Sequence, residues 1–66
     1  MLFKAVVKDK RSKQTMIIEI NQDTKKRAVT DIRANGYTVD RDKVKPAEVF
    51  DYIMMNTNAE PWDWKK

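Results

Sequence analysis

Two short runs rich in β-branched residues, separated by a stretch with no apolar residue at all, constrain this chain more than any other feature. Residues 2–8 read Leu-Phe-Lys-Ala-Val-Val-Lys and residues 15–20 read Thr-Met-Ile-Ile-Glu-Ile. Both are short, apolar and partly alternating, which favours strands. Asp9-Lys10-Arg11-Ser12-Lys13 between them is wholly polar. The two strands therefore form an antiparallel hairpin with a turn of about four or five residues. The turn contains no Asn-Gly or Asp-Gly step, so its composition leaves the register open. Alternation puts Phe3, Ala5 and Val7 on one face, matched by Met16, Ile18 and Ile20 on the second strand.

The rest of the chain supplies two helices and a third strand. Asn21–Asp23 breaks the second strand, and Asp23 or Thr24 can cap a helix. Ala28, Val29 and Ile32 share one helical face, and Asn35-Gly36 is a strong stop. The first helix is thus expected over 25–35. Tyr37-Thr38-Val39 reads as a short third strand, and Asp40-Arg41-Asp42-Lys43, alternating in sign, reads as a solvated loop. Pro46 fits the first turn of a second helix. Its inner face would hold Ala47, Val49, Phe50, Ile53 and Met54, widened by Tyr52 and Met55, and it ends near residues 56–58. The expectation is one α+β domain over 1–66 in the order ββαβα, with residues 58–66 as a tail. A helix between strands two and three makes an all-antiparallel sheet of order 2-1-3 the favoured topology, with the first helix on one face. A parallel pairing of strands two and three is less favoured.

Composition removes most chemistry. The chain has 66 residues, with no Cys, no His and a single Gly. A chain this size buries only about 60% of its extended surface, so it holds one core. Disulfides, thiolate nucleophiles, imidazole acid–base chemistry and the usual zinc sites are unavailable, and one glycine cannot build a phosphate-cradling loop. Asp40 and Asp42 lack the glycine and further acids of a calcium loop. The carboxylates are scattered among Lys and Arg, so no enzyme, cofactor or metal is expected. No apolar run approaches a membrane span. Lys4 interrupts the N-terminal apolar run and no small-residue cleavage site follows, so no leader is expected and the cytoplasm is the expected compartment.

Two features exceed what a core requires. Leu2, Val6 and Ile17 are apolar on the face of the hairpin that also carries Lys4, Lys8, Thr15 and Glu19. Trp62 and Trp64 stand in the last five residues. Leu2, Val6, Ile17, Trp62 and Trp64 are therefore candidate protein-contact residues. Cover by the second helix, with the Trp tail docked on the core, is favoured over a homodimer, which makes a monomer the favoured state.

Charge is uneven. Residues 1–39 carry nine cations against four acids, whereas residues 40–66 carry five against six. Lys25-Lys26-Arg27 falls in the first turn of the expected helix, where the macrodipole favours acids. Lys8, Lys10, Arg11, Lys13, Lys25, Lys26 and Arg27 are the candidate nucleic-acid contacts. The hairpin turn and the helix start lie at opposite ends of strand two, so only a stripe through Lys4 and Lys8 would join them.

The runs Phe-Lys-Ala-Val-Val-Lys-Asp, Met-Ile-Ile-Glu, Thr-Lys-Lys and Asp-Ile-Arg-Ala-Asn-Gly-Tyr-Thr-Val together resemble small uncharacterised proteins of Gram-positive mobile elements, both phages and conjugative elements. The resemblance covers Phe3–Val39 and implies a hairpin followed by a helix ending at Asn-Gly-Tyr. It implies no catalytic residue, and residues 40–66 fall outside it. The expected function is a non-enzymatic accessory protein that binds nucleic acid weakly through its basic front half. The alternative is a protein-interaction or self-association module using the apolar sheet face and the Trp tail.

Overall fold

The computed structural model describes residues 1–57. Its elements are β1 (Leu2–Asp9), β2 (Thr15–Asn21), α1 (Lys25–Ala34), β3 (Tyr37–Pro46) and α2 (Ala47–Asn56). The three strands form one antiparallel sheet in the order β2-β1-β3, the topology expected from the sequence. The tail, 58–66, with Trp62 and Trp64 and the expectation that it docks, lies outside the described residues.

Asp9 closes the hairpin that the turn composition left open. Its carboxylate accepts the N–H groups of Arg11 at 2.7 Å and Ser12 at 3.1 Å, and its carbonyl accepts Lys13 N–H at 2.9 Å. An Asx turn of this kind replaces the missing Asn-Gly step, with Lys13 taking the positive φ of 63°. The resulting register sets Phe3 opposite Ile20, Ala5 opposite Ile18 and Val7 opposite Met16. All six therefore lie on one face.

α1 packs on that face. Thr24 caps it, its hydroxyl accepting Arg27 N–H at 3.2 Å. Ala28, Val29 and Ile32 join Phe3, Ala5, Val7 and Val44 in one buried cluster. The chain leaves the helix at Gly36, whose φ of 91° favours glycine over any residue with a Cβ. Its carbonyl then accepts Lys10 N–H at 3.2 Å, tying the hairpin turn to the end of the helix. An added Cβ at Gly36 would meet no atom within 4 Å. Gly36→Ala should therefore cost about 1–2 kcal/mol, all of it backbone strain. Urea unfolding measures this, and Gly36→Asn should recover part of the loss because Asn tolerates the left-handed region.

β3 departs from the sequence expectation. It runs through Asp40–Lys43 to Pro46 rather than ending at Val39 in a loop. Val39 pairs with Val7 and Val44 pairs with Ala5, so four residues of β3 oppose Val6 alone. Val39 and Val44 are five apart and would point to opposite faces of a regular strand. The bulge supplies the odd step, so Val44 is buried in the core and Val39 packs at its rim. The four charged residues remain at the sheet edge.

α2 lies on the second face. Lys4 Nζ reaches Asp51 Oδ1 of α2 at 2.7 Å and Glu19 Oε1 of β2 at 3.7 Å. Val6 shares this face with Lys4 and is buried, which removes it from the candidate contact residues. The inner face of α2 is narrower than its periodicity suggests. Phe50 is its only buried residue, Ile53 is half-buried, and Val49 and Met54 are exposed along with Tyr52 and Met55. Pro46 stands at the boundary just before the helix rather than in its first turn, and makes no side-chain capping hydrogen bond.

The Asp51 hydrogen bond, followed by the Asp51 and Glu19 charges, raises Lys4 above the ordinary lysine pKa against the opposing pull of burial. A cation favoured in the fold contributes stability below its unfolded pKa and loses it as pH rises through the folded one. The alkaline fall in stability, beginning above about pH 10, should therefore be smaller in Lys4→Met than in the native chain when followed by thermal unfolding.

Candidate functional site

Lys26, Thr30 and Arg33 are spaced i, i+4 and i+7, which stacks them along one flank of α1. Val29 lies beside them and is buried against the sheet. The β3 bulge brings Arg41 to the same flank. Lys26, Val29, Thr30, Arg33 and Arg41 line one shallow groove between helix and strand, with no acid among them. A second depression, lined by Gln22, Thr24, Lys26, Arg27, Thr30 and Asp31, shares Lys26 and Thr30 and carries the groove towards the start of the helix. Its one acid, Asp31, accepts a hydrogen bond from the Gln22 side chain.

The cations of this strip are largely unspent. Among the described residues, Lys26, Arg33 and Arg41 make no salt bridge, and Arg27 pairs only with Asp23 at 3.6 Å. Both members of that pair are well exposed, where an ion pair contributes about 0–1 kcal/mol. No acid occupies the first turn of α1, so Lys25 and Lys26 stand against the macrodipole there, with Asp23 just outside the helix pairing with Arg27.

The structure sorts the seven candidate contacts into three places. Lys25, Lys26 and Arg27 open α1. Lys10, Arg11 and Lys13 belong to the turn that touches Gly36, at the far end of a helix about 15 Å long. Lys8 alternates with Val6 onto the face that α2 occupies, opposite Thr15 and Thr38. A stripe through Lys4 and Lys8 does not join the two clusters, because Lys4 is taken up by Glu19 and Asp51 on that face. Arg33 and Arg41, which the sequence reading did not include, stand between the clusters instead. Arg33 was recognisable from its seven-residue spacing to Lys26. Arg41 was not, because its position depends on the bulge.

The apolar candidates divide too. Leu2 and Ile17 remain 43% and 42% exposed, against 6% for Val6. Leu2 also lines an apolar groove with Met1, Pro46, Ala47 and Val49, beside Glu48. No cluster of three or more His, Cys, Asp or Glu capable of holding a metal occurs among the described residues. No helix among them is long and apolar enough to cross a membrane. No known protein family, curated protein or solved structure matches the chain.

Proposed function

We propose that the domain is a non-enzymatic accessory protein that binds nucleic acid by its phosphate backbone, along α1 and the β3 bulge. The observation that carries this reading is the groove in which Lys26, Arg33 and Arg41 converge from two elements without an acid or an ion-pair partner. Phosphate contacts of this kind are independent of sequence. The groove carries no aromatic side chain on which a base could stack, so affinity comes from charge. The hairpin-turn cations extend the strip beyond the Arg33 end of the helix.

Binding should fall in the range of about 10⁻⁴–10⁻⁶ M and weaken steeply with salt. Neutralising roughly three to five phosphates on duplex DNA gives a log–log salt slope of about −3 to −4.5. The triple variant Lys26→Glu/Arg33→Glu/Arg41→Glu should abolish binding and leave the fold intact. Reversal at Lys26 relieves the helix dipole, and reversal at Arg33 opposes it by a similar amount. Fluorescence titration of duplex and single-stranded DNA and RNA at low salt checks this. No binding at about 100 µM protein, the weak end of the non-specific range, would show the cations to be ordinary solvating charge.

A further inference from the structure

We infer that the edge of β2, unpaired among the described residues, is a self-association surface, on which a second copy of the chain pairs antiparallel across a two-fold axis to double the width of the sheet. The two sheet edges are built differently. β3 presents the charged bulge Asp40–Lys43, then Lys45 and Pro46, which are devices that keep an edge from pairing. β2 has none of them. It runs against β1 without a register shift, contains no Pro, and carries one charged side chain, Glu19.

The unused backbone groups of β2 can be assigned. Gln22 donates its N–H to the Met1 carbonyl, and the Gln14 carbonyl accepts Asp9 N–H. Even-numbered residues of this strand therefore bond to β1, and the N–H and C=O groups of Thr15, Ile17, Glu19 and Asn21 point outwards. Both faces of the strand are also incompletely packed. The main helix contacts are those of α1 with β3 and of α2 with β1 and β3. Met16, Ile18 and Ile20 stay half-buried or partly exposed, although their β1 partners Val7, Ala5 and Phe3 are fully buried. Ile17 is exposed on the other face. The monomer favoured on sequence grounds assumed that Leu2, Val6 and Ile17 were covered within the chain; among the described residues Val6 is buried, whereas Leu2 and Ile17 remain exposed.

A second copy centred on Ile18 answers each of these points. Ile18 then meets Ile18 of the copy, Ile17 exchanges hydrogen bonds with Glu19, and Thr15 exchanges them with Asn21. The apolar row Met16-Ile18-Ile20 continues across the axis. Just beyond the strand ends, Lys13 falls beside Asp23 of the copy, and both are exposed, so the charges complement each other. Centring on Glu19 instead would oppose two glutamates, and centring on Ile17 would set Lys13 against Asn21. The contact is isologous, so it closes at two copies. The Lys26–Arg33–Arg41 groove uses α1 and the opposite edge strand and stays open in the pair.

Sedimentation equilibrium of the full chain, combined with amide exchange, tests this. The expected result is a concentration-dependent dimer in which the amides of Ile17 and Glu19 exchange slowly, with that protection lost on dilution. Ile17→Pro removes only an outward N–H, keeps the β1 ladder, and should leave a monomer. Lys13→Glu and Asp23→Lys should each weaken the dimer by about threefold to tenfold, and the double variant should restore it. This rescue does not depend on Ile17→Pro folding. A monomer up to about 1 mM would overturn the inference. So would a dimer without Ile17 and Glu19 protection, which places the contact elsewhere. Protection of those amides at every concentration would overturn it too, because the edge would then be occupied from within the chain.

Discussion

Phe50→Ala should destabilise the domain by about 3–5 kcal/mol, which is most of what a single core of this size supplies. Phe50 is 2% exposed and is the only buried residue of α2. The Lys4–Asp51 contact also ties the helix to the sheet, but its partners are partly exposed, so it contributes little alone. Losing the ring should therefore loosen α2 from the sheet face that carries Lys4 and Val6. Urea unfolding should show a large fall in midpoint, and at low urea the near-ultraviolet signal should weaken before the sheet is lost. A midpoint that hardly moves would mean that α2 does not cover the second face.

Val6→Lys should have a comparable effect for a different reason. Val6 is 6% exposed on the face shared with Lys4 and Lys8. An ammonium placed there is desolvated, because Glu19 and Asp51 already serve Lys4 and the one acid lining the depression beside Val6, Asp40, shares it with Lys8 and Lys43. An unpaired buried charge costs about 3–5 kcal/mol, so the variant should be largely unfolded at room temperature by circular dichroism. Ile17→Lys is the informative contrast. Ile17 sits directly across from Val6 but is 42% exposed, so the same change there should cost under about 1 kcal/mol. Equal losses at the two positions would contradict the placement of α2.

That contrast also marks how far the sequence could be read. Alternation in residues 2–8 and 15–20, the helical face of Ala28, Val29 and Ile32, and the Asn35-Gly36 stop are local signals, and the sheet order followed from connecting them. Val6 and Ile17 are indistinguishable by alternation; what separates them is strand position, with β1 central and β2 at the edge, together with the path of α2 across the sheet. That path depends on Phe50 and on the pairing of Lys4 with Asp51, 47 residues away in sequence. The length of β3 was hidden because Asp40–Lys43 has loop composition. It becomes strand only because Val39 and Val44 both find the core, five residues apart. The site was partly legible for the same reasons. Lys25-Lys26-Arg27 stood out against the helix dipole, whereas Arg41 reaches the groove by way of the bulge.

Mapping backbone amide shifts of the isotopically labelled chain during titration with a short DNA duplex at low salt locates the nucleic-acid surface residue by residue. The largest changes should fall on Lys26, Val29, Thr30, Arg33 and Arg41, with smaller ones at Lys10, Arg11 and Lys13, and all of them should fade as salt is raised. Changes confined to Leu2 and Val49 on the apolar side, or none at any salt concentration, would contradict binding at this surface.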